Sequence, residues 1–98
     1  MKKKPEKIVQ ADTPEGQRAG EAIVEAVENQ LKEDNPPEAN RTLKRLMAIG
    51  ETRKNAIRYI GTALSVEVVE IFKNKTPFNE QRYINNLKAL PELPYDDE

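Results

Sequence analysis

Between residues 57 and 71 the apolar side chains fall at Ile57, Ile60, Leu64, Val68 and Ile71. Only a helix, with its repeat of about 3.6 residues, brings positions spaced in threes and fours to one side. The β-branched run from Val66 to Phe72 also suits a strand. The helical phase nevertheless continues through it, and no second segment alternates with period two to pair with it. The chain is therefore read as all-α. This helix is apolar on a second side as well, where Tyr59, Val66 and Val69 gather with Thr62, and Phe72 lies at the edge of the main stripe. A helix of that kind is central in a bundle or lies against a partner.

Proline, glycine and capping residues punctuate the rest. Thr13-Pro14 starts a first helix, with a hydroxyl to cap free N–H groups and a proline where its missing N–H costs nothing. Its inner face carries Ala19, Ala22, Ile23, Ala26, Val27 and Leu31, mostly small, and Gly16 and Gly20 are placed to let a neighbour approach. Asp34-Asn35-Pro36-Pro37-Glu38 ends it and starts a second, with Asn35 as cap and Glu38 as capping-box partner. That helix turns Leu43, Leu46, Met47 and Gly50 inward, and Gly50 suits the left-handed conformation that closes a helix. Thr52 or Glu51 opens the third helix, which extends to about Asn74. After the turn KTPFNEQ, Asn79 caps a short fourth helix with Tyr83, Ile84, Leu87 and Leu90 inward, and Pro91 ends it. The expectation is a compact bundle of four helices over residues 13–91, between a Lys-rich tail at 1–12 and an acidic tail at 92–98 from which Leu93 and Tyr95 can latch onto the core.

Composition excludes much chemistry. The 98 residues contain no cysteine and no histidine, which removes disulfides, thiolate nucleophiles, the commonest zinc ligands and every Ser-His or Cys-His dyad. Ser65, the one serine, has no base to activate it. No catalytic residue, cofactor site or metal site is assigned. No apolar run approaches membrane-spanning length, and MKKKPEKIVQ lacks the features of a signal peptide, so a cytoplasmic protein is expected. With 37% hydrophobic and 34% charged residues the core is expected to be thin.

The net charge of -1 conceals an asymmetry: residues 13–34 are acidic, whereas Arg41, Lys44, Arg45, Arg53, Lys54 and Arg58 stand against Glu51 alone over residues 39–61. Acidic and basic segments that pack side by side account for this most simply. The six basic residues are also candidates for contact with a polyanion. The stretch LMAIGETRKNAIRYIG, residues 46–61, has the outline of a helix-turn-helix, but Glu51 falls where that motif wants an apolar residue and Arg45 where it wants a buried one. Phosphate contact stays open there, and base reading is disfavoured. The same stretch resembles ubiquitin-associated domains through Leu46, Ile49, Gly50, Ala56 and Ile57. Glu51 replaces the aromatic residue of their ligand-binding loop, so the likeness implies helix packing rather than ubiquitin binding.

A wider resemblance covers QLKEDNPPE, LKRLMAIG, Ala56 and TPFNEQRYINNL. In this order they are similar to an uncharacterised bacterial family of short helical proteins, a domain of unknown function. The resemblance implies an all-α fold and no established activity. That family carries histidines in its first and third helices, which this chain lacks, so no metal or catalytic role is carried over.

Two further features bear on function. Glu25-x-x-Glu28 and Glu67-x-x-Glu70 are the pattern with which helical nucleotide pyrophosphohydrolases hold Mg²⁺. In a chain with 17 acids such spacing arises readily by chance, and a solvated face is the preferred reading. The second side of the third helix is the better lead. Tyr59, Val66 and Val69 either lie under another helix of the same chain or form a patch against a second chain, for which a homodimer is the simplest arrangement. The functional expectation is a small interaction or assembly module, with a homodimer or another protein as partner.

Overall fold

The computed structural model describes residues 14–94, with side chains from Arg18 onward. Four helices form: α1 (Pro14–Glu33), α2 (Pro37–Ala48), α3 (Arg53–Asn74) and α4 (Glu80–Ala89). No strand is present among the described residues, and the fold is all-α.

Local chemistry explains most boundaries. The Thr52 hydroxyl accepts the Asn55 N–H at 3.0 Å to start α3, and the Asn79 side chain accepts the Arg82 N–H at 3.0 Å to start α4. Gly50, at φ 108°, closes α2 in the left-handed region, with the Glu51 N–H donating to the Leu46 carbonyl at 3.1 Å. The start of α2 departs from expectation. Pro36 takes the cap position, so Asn35 does not cap and Glu38 falls one place too early for a capping box. Asn40 serves the corner instead, donating to the Leu31 carbonyl at 2.9 Å and the Asp34 carboxylate at 3.0 Å, and so tying the end of α1 to α2. Thr13 and Tyr95 lie outside the described residues.

Helix α3 packs against each of the other three, whereas the backbones of α1 and α4 stay apart. The core takes Val27 and Leu31 from α1, Ala39 and Leu46 from α2, Ala56, Ile57, Ile60, Ala63 and Leu64 from α3, and Tyr83, Leu87 and Leu90 from the α4 region. The Tyr83 hydroxyl bridges the gap between α4 and α1 by donating to Gln30 Oε1 at 2.5 Å. Arg45 closes α4, its guanidinium donating to the carbonyls of Leu90 at 2.6 Å, Leu87 at 3.0 Å and Lys88 at 3.4 Å.

The inward faces are shorter than their periodicity suggests. In α3 apolar burial continues to Leu64, beyond which only Glu67 is buried, Val68 is half-buried and Ile71 is exposed. The reason lies in the α3–α4 turn, which folds back so that Asn79 meets Glu67, seven residues before α3 ends. The last two turns of α3 therefore pass beyond α4. At the opposite end of the chain Ala19 and Ala22 are exposed. In α2, Met47 and Gly50 are exposed, and Ala39 and Thr42 take the inward places. The close approach of α1 falls at Gly61 rather than at Gly20. A Cβ at Gly61 would lie 3.0 Å from Ile23 Cγ2, whereas one at Gly20 would meet nothing within 4 Å. The surroundings of Gly16 are outside the described side chains.

Candidate functional site

Helix α3 has an outward side roughly opposite its core stripe. Tyr59, Thr62, Val66 and Val69 lie along it in steps of three, four and three, the spacing that helices use to form a two-layer seam with another helix. The Thr62 hydroxyl donates to the Tyr59 carbonyl at 2.6 Å, so its polar atom is satisfied within the helix and its methyl group is left for the seam. The seam is not uniform. Tyr59 and Leu93 both pack against the edge of the core and share a groove of about 360 Å³ with Glu51, Asn55, Arg58 and Thr62. Farther along, Val66 is half-buried and Val69 is 52% exposed. The chain's own Leu93, beyond the last helix, thus lies beside the first layer, and Val69 in the second reaches solvent. Three residues beyond Val69, Phe72 is 73% exposed, and Phe78, stacked edge-on against Tyr83, is also exposed.

The six basic candidates do not act as one free group. Arg45 is committed to the carbonyls at the end of α4. Arg53 makes a two-pronged contact with Glu28, at 2.9 and 3.0 Å, that holds the start of α3 to α1. That guanidinium also holds the Glu28 carboxyl below the usual carboxylate range. Acidic α1 and basic α3 do pack together, and this is where their charges meet. Arg41 lies 3.8 Å from Glu38. Lys44, Lys54 and Arg58 are exposed and form no ion pair among the described residues, and Arg58 faces the groove beside Tyr59.

The paired glutamates are likewise separated. Glu67 has no exposed surface, and its carboxylate accepts from Arg82 Nε at 2.6 Å, Arg82 Nη2 at 3.0 Å and the Asn79 N–H at 2.9 Å. The Arg82 guanidinium, helped by that N–H, holds its carboxyl below the usual range against the opposing effect of burial. Glu70 accepts from the Asn74 amide at 2.7 Å, Glu28 is engaged by Arg53, and Glu25 is exposed. Among the described residues no group of three or more His, Cys, Asp or Glu side chains is placed to hold a metal ion. The sequence pairs Glu67 with Glu70 by spacing and gives no sign of Arg82, its partner across the turn. A second groove of about 350 Å³ lies over that turn, lined by Glu70, Pro77, Phe78, Glu80 and Arg82 among others.

No described helix is long and apolar enough to cross a membrane. No family model matches the chain, and neither a curated protein nor a solved structure matches it.

Proposed function

We propose that this protein is a small cytoplasmic assembly module that associates with a second copy of itself through the outward seam of α3. The observation that carries the reading is the exposure of Val69 on a helix side where Tyr59, Thr62 and Val66 keep helix-pairing spacing. An apolar row that water reaches gains free energy when a second helix covers it, and a two-fold axis lets one seam cover its own copy. Binding of a polyanion through the basic residues is less well supported, because Arg45 and Arg53 already have partners inside the fold.

Solution mass across a concentration series tests the reading. The chain weighs 11.2 kDa, and the wild type is expected to exceed that mass increasingly as concentration rises. Val69→Glu places a charge in the seam without touching the core and is expected to return a folded monomer. A wild type that stays monomeric at every concentration, or a Val69→Glu variant that associates as the wild type does, overturns the proposal.

A further inference from the structure

Arg45 fixes the place where the chain leaves α4, donating to the Leu90 carbonyl at 2.6 Å and the Leu87 carbonyl at 3.0 Å. Three residues after the buried Leu90, Leu93 is half-buried and lines the groove at the start of α3, together with Glu51, Asn55, Arg58, Tyr59 and Thr62. The residues that follow Pro94 are Tyr95, Asp96, Asp97 and Glu98, which lie outside the described residues and carry three carboxylates with no balancing cation. Four residues span at most about 14 Å, so this segment has little choice but to stay near the groove that Leu93 lines. The surface it meets there is basic. Arg58 lines the groove, and Lys54 lies one turn before it along α3. Both are exposed, and neither forms an ion pair among the described residues. The first turn of α3 holds no acidic residue, so the positive end of the helix dipole adds to these two cations, against the single carboxylate of Glu51.

We propose that residues 95–98 dock on the start of α3 in the same chain, with Tyr95 in the groove and the carboxylates of Asp96, Asp97 and Glu98 against Arg58 and Lys54. The occupant is this segment rather than a separate acidic peptide because its attachment at Pro94 gives it an effective concentration on the order of millimolar at the groove. A free peptide has to exceed that to replace it. The segment thereby shields the basic start of α3. Arg45 and Arg53 are engaged inside the fold, and the tail answers Arg58 and Lys54, which the helices leave over. An outside polyanion then has to displace the chain's own carboxylates before it reaches these cations. Val66 and Val69 do not line the groove, and self-association through them is not required.

The chain has no cysteine, so a nitroxide attached through Glu98→Cys is a unique label that leaves Asp96 and Asp97 in place. The experiment measures by NMR how far the nitroxide speeds amide relaxation along the full chain, at about 0.05 and 0.5 M salt. Beyond the segment's own neighbours, the amides from Lys54 to Tyr59 are expected to relax fastest. Their enhancement is expected to fall about threefold at the higher salt, and likewise in the variant that adds Lys54→Gln and Arg58→Gln. Should that variant not fold, the salt comparison on the labelled chain carries the test alone. An enhancement that neither salt nor the substitutions alter reflects only the covalent link at Pro94 and overturns the docking, as does a larger enhancement on another face. Spin-labelled chain mixed with isotope-enriched chain lacking the label separates the docking from self-association: an enhancement at Lys54 to Tyr59 that passes between molecules overturns the intramolecular contact.

Discussion

Glu67 is a carboxylate without exposed surface on a helix that is otherwise apolar where it meets its neighbours. Stripping water from a charged group is costly, and the structure offsets that cost with three N–H donors, two from Arg82 and one from Asn79. Glu67→Gln keeps the shape but loses the charge, and it sets an amide NH₂ against N–H donors. Breaking such a pair costs about 3–5 kcal/mol when both partners are buried; because about a third of the Arg82 side chain reaches water, about 2 kcal/mol is expected here. For a domain of this size that lowers Tm by about 10 °C, which a thermal melt reads directly. The same pair sets the acid limb of stability. A carboxyl held below its unfolded value near 4.5 contributes stability that is complete above that pH and is lost as pH falls through the folded value. Arg82 stays charged throughout. Wild-type stability should therefore fall more steeply below pH 4.5 than that of Glu67→Gln; parallel acid limbs would show that the pair contributes little.

At the scale of elements, two glycines test how the helices meet. Gly20 lies on an exposed turn of α1, and a methyl group added there would find no atom within 4 Å, so Gly20→Ala is expected to gain about 0.5–1 kcal/mol from helix propensity alone. At Gly61 a side chain of α1 comes close to α3, and Gly61→Val drives a branched side chain into Ile23, at an expected cost of about 2 kcal/mol. Urea midpoints moving in opposite directions confirm the assignment; equal shifts would reject it. The sequence pointed to Gly20, not Gly61, and the difference has a physical cause. Caps at Thr52 and Asn79 and the left-handed Gly50 were legible because a cap is settled within four residues by hydrogen bonds that the residue makes itself. Which turns of an amphipathic helix are covered depends on where neighbouring helices begin. Periodicity cannot show that Asn79 returns to Glu67, and so it assigned Val68 and Ile71 to a core that stops at Leu64. The outward seam was readable as a second apolar side of α3. That Leu93 shares a groove with Tyr59 was not, because it comes there only after the chain has turned back twice.

Among the described residues the molecule is built around α3, against which the other three helices pack. Several core positions are alanines, at 39, 56 and 63, and a chain of this size buries a modest share of its surface, so its stability is expected to be small. The proposed contact with a second copy would then add to the stability of the fold, because anything that binds the folded state alone raises the temperature at which it unfolds. The charges are poor candidates for that support. Glu28–Arg53, with both side chains substantially exposed, contributes about 1 kcal/mol or less, and salt screens it. An apolar seam behaves differently, because covering Val66, Val69 and their symmetry equivalents is insensitive to moderate salt. Raising protein concentration a hundredfold is expected to lift Tm by a few degrees, by about the same amount at about 0.05 and 0.5 M salt. A concentration effect that disappears at the higher salt would move the contact from the seam of α3 to the charged faces of α1 and α2.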